Sequence, residues 1–564
     1  MTNPGVCSSE VDPLKGGEGD VGEAGISAPT SPLKKGVCGG GLRLSRLSAW
    51  RTAAFLLALF LCLTIVFAFS FILPCPIRPQ YLVTWNYTLP AAAAYDFLAV
   101  EHANKDMVKD IIFIYKSSEG RTNNTCENEG LSSPCIFVLA VDGTDGEYIW
   151  ELPLNFDLRW AQCGLKGLDG ESPGCLLAHT NTLTAISTIG GNVLWQQSSS
   201  PGAGAVVPVL SVPDLDKDGT DDIALLTPQQ NQMKLVFLSG ETGLAIGSEV
   251  EVVDEVSSSH MLHNTAKEAQ YLLLQTGSGL YAEGLWNLVA KAGLSKQLKK
   301  DSKWEKMRNG TGPIMIYHSP SLQQVLRVAV GSEVPSLLLI MGPSTQLDQE
   351  SNQLEGTVTE LLDGDSLSSL WKINSSKLLS QPSFGHFNKD DIPDVVMEEE
   401  AGNATKRVVI LDGKTGGVLW EVTLLALPHT PAPASVLTIH SYSVFMLWGE
   451  KQSNETGFAL EKHYSYLLHP SYSNLLLQRS NPVEHIIAFK VTLLERGRHA
   501  SYLLLTGPHA SEGVDPDGAG SVILTKRKLK SDVSVSSVLS VRGPLNEDKV
   551  EHVKEAFSRL RFSD

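Results

Sequence analysis

The stretch Leu411-Asp-Gly-Lys-Thr-Gly-Gly-Val-Leu-Trp420 is the clearest copy of a phrase that recurs along this chain. Its Asp-Gly and Thr-Gly pairs predict a tight turn, and the apolar residues after them predict a strand that ends near a tryptophan. Related copies are Asp142–Trp150, Thr188–Trp195, Leu362–Trp371 and, without the tryptophan, Ser239–Ile246. Trp150 and Trp195 are 45 residues apart, and Trp371 and Trp420 are 49 apart. That spacing is typical of a four-stranded propeller blade, which takes roughly 40–50 residues.

From residue 95 onward, short apolar runs alternate with Gly, Asp and Asn turns, which predicts an all-β domain. We therefore predict a β-propeller over residues 95–543, followed by an amphipathic helix at 544–564. Eight blades are expected, at 95–152, 156–197, 205–250, 258–290, 320–373, 380–422, 433–478 and 484–541. Seven blades remain the alternative, because edge strands can be shared when a ring closes. Two packed sandwiches would not explain the period.

One loop of this array carries a metal-binding pattern. The stretch Val212-Pro-Asp-Leu-Asp-Lys-Asp-Gly-Thr-Asp-Asp222 places aspartates at positions one, three, five and nine of the loop and Gly219 at position six. Four carboxylates in nine residues repel one another unless a cation neutralises them, and hard oxygen ligands suit calcium. The predicted calcium ligands are Asp214, Asp216, Asp218, Thr220 and Asp222. An EF-hand is excluded because Leu225 stands at its twelfth position, whereas an ordinary polar turn is the alternative.

Two weaker relatives of this loop precede other copies of the turn phrase. They are His102–Asp110 and His386–Asp394, and both begin with histidine, a poor calcium ligand. Weaker calcium sites are predicted at Asn104, Asp106, Asp110, Asn388, Asp390 and Asp394. The alternative is that both loops keep the shape of the turn without an ion.

The N-terminal part of the chain predicts a membrane anchor. Residues 1–51 are rich in Gly, Ser and Pro and are expected to be a disordered cytosolic tail, with a phosphorylation site at Ser31. Residues 52–73 contain no charged residue and reach the ~20 residues that a transmembrane helix needs. Basic residues before this run place the N-terminus in the cytosol, which predicts a type II signal-anchor followed by a stalk at 74–94. A buried core helix is the alternative.

Sequons and cysteines agree with this topology. All the glycosylation sequons lie after the apolar run, at Asn86, Asn123, Asn309, Asn374, Asn403 and Asn454. Local disulfides are predicted between Cys126 and Cys135 and between Cys163 and Cys175, as an oxidising compartment allows. Cys75 is then left over, either as a bridge between two chains of a homodimer or as a free or differently paired thiol.

Other features carry little chemistry. The net charge of −17 argues against a nucleic-acid partner. The sequence has no G-x-S-x-G elbow, H-E-x-x-H pair or Walker-type loop, so no catalytic residues are predicted. His260 and His263 are expected to lie in a loop or on the surface. Residues 288–308 predict a basic helical insertion between blades, either solvated or docking an acidic partner.

Several stretches of the sequence resemble known protein families. The acidic loops are similar to the FG-GAP repeats of integrin α-subunit propellers. More of the chain resembles the integrin-alpha FG-GAP-repeat-containing transmembrane proteins, the family-with-sequence-similarity-234 group, and its A branch in particular. The matching stretches are Phe55–Leu63 before Pro74–Pro76, Tyr95–Val100, Ser132–Cys135, Val212–Asp216, Arg498–Tyr502, Leu505–Pro508 and Phe557–Phe562. The resemblance implies a single-pass glycoprotein with a propeller ectodomain, and it implies no reaction.

The leading hypothesis is a non-enzymatic type II membrane glycoprotein of the cell surface or secretory pathway. Its propeller, stabilised by structural calcium, would mediate interaction with a protein partner that the sequence does not name. A quinone-cofactor-type oxidoreductase is the competing hypothesis, because the turn phrase with its tryptophan also occurs in quinoprotein-like propellers. A third hypothesis is an accessory subunit that escorts a transporter or receptor.

Overall fold

The structure is a computed structural model, and it describes residues 49–72, 84–120, 126–155, 158–170, 172–179, 181–198, 201–329, 334–342, 356–451, 463–481, 485–495, 497–510, 520–545 and 547–563. The chain divides into two units, Met1–Arg78 and Pro79–Asp564. In the first unit, helix α1 runs from Ala49 to Ile72. No helix in the described residues has both the length and the hydropathy of a membrane span, so the predicted span is not confirmed.

In the second unit, the described strands form eight antiparallel sheets, which we call blades I to VIII. Strand β1 (Thr84–Pro90) comes first in the chain and belongs to blade VIII. Blades I to IV are β2 (Ala92–Glu101), β3 (Asp110–Ser117), β4 (Cys135–Val141), β5 (Tyr148–Leu154); β6 (Leu158–Asp169), β7 (Ser172–His179), β8 (Thr182–Ser187), β9 (Val193–Ser198); β10 (Val206–Val212), β11 (Asp222–Gln229), β12 (Gln232–Leu238), β13 (Ala245–Val253); and β14 (Ser259–Asn264), β15 (Gln270–Thr276), β16 (Gly279–Gly284), β17 (Ile314–His318). Between β16 and β17 lie α2 (Leu285–Lys291) and α3 (Ser302–Glu305).

The remaining blades follow the same order along the chain. Blades V and VI are β18 (Leu322–Val328), β19 (Ser336–Met341), β20 (Thr357–Leu362), β21 (Ser369–Ser375); and β22 (Ser383–Gly385), β23 (Asp394–Gly402), β24 (Thr405–Leu411), β25 (Val418–Leu425). Blade VII contains β26 (Ala434–Leu437), β27 (Ser443–Gly449), β28 (His463–Leu468) and β29 (Leu475–Asn481). Blade VIII contains β30 (Ile486–Leu493), β31 (Ala500–Thr506) and β32 (Ser521–Lys528). Helix α4 (Leu529–Val535), strand β33 (Ser537–Ser540) and helix α5 (Asp548–Ser558) complete the chain.

The ring closes through its first strand. β1 pairs with β32 from Thr84 opposite Arg527 to Pro90 opposite Ser521, so the N-terminal strand is the fourth strand of blade VIII. First strands of successive blades also contact one another, including β2 with β6 and β2 with β30. The predicted eight-bladed all-β propeller is thus confirmed, and the seven-bladed alternative is wrong.

Several predicted boundaries need correction. Residues 84–90, predicted as part of the stalk, belong to the propeller, and Trp85, Tyr87 and Leu89 alternate as buried residues along β1. Blade IV extends to residue 318 and not to 290, because its outer strand follows the helical insertion. The insertion is therefore inside blade IV and consists of two short helices. Strand β33, assigned to the last blade, pairs with β29 of blade VII.

Eight hydrophobic clusters of described residues hold the ring together, and each fills the space between two neighbouring blades. The first combines Phe113 and Phe137 of blade I with Leu503 and Leu524 of blade VIII. Because every sheet is covered on both faces in this way, its central strands are continuous apolar runs. Burial of these side chains provides the main favourable free energy of the fold.

The tryptophans of the repeat phrase seal successive blades. The indole nitrogens Nε1 of Trp150, Trp195 and Trp371 donate hydrogen bonds to backbone carbonyls in the next blade, of Thr188, Gly240 and Gly413, at 3.0, 2.9 and 2.8 Å. Each ring lies on a glycine of the next turn. Gly191 has φ +69°, and a Cβ on it would lie 2.4 Å from a ring carbon of Trp150. Only glycine fits that contact.

Two further tryptophans perform this role where the phrase is incomplete. The sequence of β17 contains no tryptophan, and Trp304 of α3 takes the position, with its Nε1 donating to the carbonyl of Asp365 in blade V at 3.1 Å. Trp85 of β1 packs on Gly146 of blade I in the same way. Arg308 holds the insertion against strand β16, because its guanidinium donates hydrogen bonds to the buried Glu283 carboxylate at 2.9 and 3.0 Å. The buried side of the insertion, with Trp304, therefore seals blade IV against blade V, whereas Lys291, Lys299 and Lys300 are exposed as expected for a solvated helix.

Within each blade the first and second strands are joined by an AB loop, and the third and fourth by a CD turn. Because the strands are antiparallel, AB loops and CD turns lie on one face of the ring. The acidic loops are AB loops and the Asp-Gly phrases are CD turns, so both signals of the sequence meet on this face.

Candidate calcium site and its repeats

The AB loop of blade III joins β10 to β11 and brings three aspartates together. Oxygens of the Asp214, Asp216 and Asp218 carboxylates all lie within 4.8 Å of one another. Asp214 is half-buried, and the other two are exposed. Gly219, at φ +99°, turns the chain at position six, as the sequence pattern indicates. Hard anionic oxygens at this separation form a donor set that fits calcium.

Hydrogen bonds from the loop backbone orient these carboxylates. The backbone nitrogens of Lys217 and Gly219 donate to Asp214 at 2.5 and 3.3 Å. Thr220 donates to Asp218 Oδ1 from its nitrogen at 2.8 Å and from its hydroxyl at 2.5 Å. The predicted ligand Thr220 thus contacts a carboxylate of the cluster.

Asp222 lies apart from this cluster. Its side chain is fully buried; Oδ2 accepts a hydrogen bond from the backbone nitrogen of Leu215 at 2.5 Å, and Oδ1 accepts one from Gly240 at 3.2 Å. Leu215 belongs to the AB loop and Gly240 to the CD turn. The carboxylate therefore joins the two connections of the blade, whereas the sequence pattern assigns it to the ion.

The equivalent aspartates of blades I and VI make the same contacts. Asp110 accepts from Ala103 and Gly143 at 2.8 and 3.2 Å. Asp394 accepts from Phe387 and Gly413 at 2.6 and 3.0 Å. We call Asp110, Asp222 and Asp394 the lock aspartates. In each case the second donor is the first glycine of the CD turn, which follows Asp142 in blade I, Ser239 in blade III and Asp412 in blade VI. A glycine at the start of the CD turn, after an aspartate at position nine of the AB loop, is the sequence signal of this contact.

The remaining predicted ligands differ between the two weaker loops. In blade I, Asp106 and the lock aspartate lie within 4.8 Å of Asp142, a CD-turn residue that the sequence pattern did not assign to the site. The side-chain nitrogen of Asn104 donates to Asp142 at 3.4 Å. In blade VI, Asn388 and Asp390 bond to the backbone of their own loop, and the described residues of that blade hold no cluster of three carboxylates.

The electrostatics of the lock aspartates follow from their burial. Burial raises the pKa of Asp222 to about 6, opposed by its backbone hydrogen bonds and assisted by the negative charges of Asp216 and Asp218. Burial likewise raises the pKa of Asp110 to about 6. The pKa of Asp218 is lowered, because hydrogen bonds from Thr220 and Ser239 outweigh the opposite effect of burial. The cluster carboxylate thus favours its charged form, and the lock carboxylates resist it.

A lysine from blade IV reaches the same loop. Lys296, in the insertion between α2 and α3, donates from Nζ to the backbone carbonyl of Asp214 at 2.6 Å. This ammonium group brings a positive charge next to the candidate site and ties it to the neighbouring blade.

Other predicted sites are placed as follows. The disulfides Cys126–Cys135 and Cys163–Cys175 are formed. Four sequon asparagines are exposed: Asn86, Asn309, Asn374 and Asn403. Asn123, Asn454, Cys75 and Ser31 lie outside the described residues. His260 and His263 are buried in β14, where their Nε2 atoms lie 2.7 Å from the carbonyls of Pro208 and Gly364, so the expected surface position is wrong.

Comparison with known proteins places this geometry in a family. The family model described as the FAM234A/B beta-propeller matches residues 85–563. The chain belongs to this family. Protein FAM234A of Bos taurus is 36% identical over 578 residues, covering 100% of this chain and 99% of the relative. Protein FAM234B of Gallus gallus is 29% identical, covering 91% of this chain and 83% of the relative.

The family and its A branch, identified from the sequence, are thus confirmed. The FAM234 match begins at residue 85, inside β1, which agrees with the closure of the ring by that strand. Among solved structures, the WD40 domain of SCAP from fission yeast is similar with a TM-score of 0.38 and 11% identity, over 78% of this chain and 98% of that one.

Proposed function

We propose that this FAM234-family protein is a non-enzymatic, single-pass type II membrane glycoprotein of the cell surface or secretory pathway. Its propeller binds a structural calcium ion in blade III and mediates protein–protein interaction. The observation that carries the calcium assignment is the convergence of three carboxylates, from Asp214, Asp216 and Asp218, in one loop. Three negative charges at this separation repel strongly, and a divalent cation removes that repulsion.

The position of the loop supports a structural role for the ion. Asp218 accepts a hydrogen bond at 3.1 Å from Ser239, which begins the CD turn of the same blade, and Asp214 receives Lys296 from blade IV. An ion held by these carboxylates would stiffen the junction between blades III and IV. Ligands that bind only the folded state stabilise it in proportion to their occupancy.

The calcium proposal is tested by thermal unfolding of the purified full chain, with calcium and with chelator. We expect calcium to raise the melting temperature of the parent and to lose most of this effect in Asp216→Ala. Asp254→Ala is the matched control, because Asp254 is exposed in the same blade and lies outside the cluster. Equal responses of the parent and Asp216→Ala to calcium would remove the assignment.

Membrane anchoring is supported by the uncharged run of residues 52–73. Residues 52–72 of this run lie within helix α1. The exposed asparagines of four sequons support glycosylation on the propeller side. We expect the protein to resist carbonate extraction and to lose mass on glycosidase treatment. A replacement of Asn403 by Gln should remove one glycan, and an unchanged mass would contradict modification there.

Dimerisation through Cys75 is part of the same proposal. The other predicted lumenal cysteines pair within the chain, which leaves this thiol available for a second copy. Non-reducing electrophoresis of the parent and of Cys75→Ser tests it: a dimer band is expected in the parent alone.

A further inference from the structure

A cleft of about 680 Å³ lies between helices α4 and α5, beside blade VIII. Its lining includes His499, Lys528, Lys530 and Lys554, with Glu551 and Glu555 at the same cleft. Both helices rest on the apolar cluster between blades VII and VIII, through Leu529 and Val533 of α4 and Val553 and Phe557 of α5. The cleft is therefore built on a packed base, and its size is within the range of about 300–1,000 Å³ for small-ligand sites.

Positive charge gathers at this cleft in a chain whose net charge is −17. Glu495 is paired with two ammonium groups, those of Lys526 and Lys528, at 3.0 and 2.8 Å. Glu555 is already paired with Arg559. The lining itself holds three lysines and two glutamates, so it carries one net positive charge.

The two remaining lysines of the cleft are available to a ligand. Within the described residues, no carboxylate lies within ion-pair distance of Lys530 or Lys554. Lys530 belongs to α4 and Lys554 to α5, so the two lysines line the cleft from different helices. Glu551 is the single acidic lining residue that has no ion-pair partner in this part of the chain.

The surroundings of His499 also show the positive charge at this cleft. Its pKa is lowered by burial and, next, by the positive charges of Arg561, Lys530 and Lys528. These effects favour the neutral imidazole, which carries one N–H donor. Next to it, a smaller apolar recess is lined by Leu529, Phe557 and Leu560. Apolar surroundings reduce the screening of nearby charges.

We propose that this cleft binds a phosphate group, held between the ammonium groups of Lys530 and Lys554. Charge-assisted hydrogen bonds from lysines are the strong contacts that phosphate oxygens accept. The phosphate could be free or part of a lipid headgroup, and both share this chemistry. The proposal does not depend on calcium or on the membrane topology.

The test is calorimetric titration of the purified full chain with two probes, inorganic phosphate and glycerophosphoserine, the soluble headgroup of a phospholipid. We expect at least one probe to bind, with an affinity that falls as salt is added. The double variant Lys530→Gln/Lys554→Gln should weaken binding by about tenfold, which corresponds to about 1.4 kcal/mol. Lys414→Gln, an exposed lysine in the CD turn of blade VI, is the matched control and should bind as the parent does.

Each outcome decides the proposal. Binding of inorganic phosphate that the double variant weakens supports a free phosphate ligand. Binding of glycerophosphoserine alone, weakened in the same way, supports a lipid headgroup. Absence of binding by both probes, or equal affinity of the double variant and the parent, overturns the assignment. If the double variant unfolds, the single variants Lys530→Gln and Lys554→Gln each carry the same test, with an expected weakening of about threefold.

Discussion

The AB loops of blades III and VI share one framework and differ in charge. In both, a buried lock aspartate, Asp222 or Asp394, accepts backbone hydrogen bonds from its own loop and from the glycine of the following CD turn. Blade III adds carboxylates at positions one, three and five, whereas blade VI has His386, Asn388 and Asp390 there. Only the first loop forms a cluster of three carboxylates among the described residues.

The difference separates two roles that one sequence pattern combines. Position nine maintains the blade in both loops, with or without a cluster beside it. Positions one, three and five decide whether three carboxylates converge within the loop. A degenerate copy can therefore lose these carboxylates and keep its shape, as the blade VI loop shows.

The largest effect is expected from removing a lock aspartate. Asp394→Ala leaves the backbone nitrogen of the buried Gly413 and those of the half-buried Phe387 and Asn388 without their acceptor. At about 1–3 kcal/mol for a buried unsatisfied group and less for a half-buried one, the loss should reach about 3 kcal/mol. Urea unfolding of the full chain measures it, and Asp222→Ala should behave similarly with chelator present.

Asp390→Ala is the control for this comparison, because among the described residues the Asp390 carboxylate accepts a hydrogen bond only from the nearby loop nitrogen of Ile392. It should cost less than about 1 kcal/mol. If Asp394→Ala and Asp390→Ala destabilise the protein equally, position nine has no special structural role.

The next largest effect is an expected gain of calcium-dependent stability in the blade VI loop. The triple change His386→Asp, Asn388→Asp and Asp391→Gly gives the blade VI loop the residues of blade III at positions one, three and six. Asp391 has φ +62°, which glycine adopts without strain. We expect a second calcium-dependent stabilisation of about 2–3 kcal/mol at calcium 100-fold above its dissociation constant. A calcium response no larger than the parent's would show that these positions do not suffice to hold an ion.

The sequence predicted the propeller because its period and its turn phrase are local. Trp150 and Trp195 each stand at the end of a copy of the turn phrase, and the residues of the acidic loop are consecutive in the sequence. Trp304 was missed because it seals blade V from a short helix, 61 residues before the carbonyl of Asp365 that it contacts. Trp85 was missed although the alternation of β1 was visible. Asp222 was assigned to the ion because its backbone donors appear only after folding.

The pH dependence should distinguish the lock from the cluster. The pKa of Asp222 is about 6 in the folded protein, above its ordinary value of 3.8, mainly because of burial. Between these values the unfolded state binds fewer protons than the folded state, so this group makes stability fall as pH rises from about 4 to about 6. With chelator present, Asp222→Asn should flatten that part of the melting-temperature profile. An unchanged profile would contradict the role of Asp222 in it.

The smallest effect concerns Lys296, which reaches the AB loop of blade III from blade IV. Lys296 places its ammonium group 2.6 Å from the carbonyl oxygen of Asp214, so its charge opposes a calcium ion in the loop. At a separation of several ångströms near the surface, this repulsion is worth about 0.5–1 kcal/mol. Lys296→Met should therefore increase calcium affinity about threefold, measured by titration calorimetry, while Lys291→Met, at an exposed position of the same insertion, should leave it unchanged. A weaker affinity in Lys296→Met would mean that the lysine positions the loop more than it repels the ion. Calcium binding would then depend on the seal between blades III and IV as well as on the carboxylates.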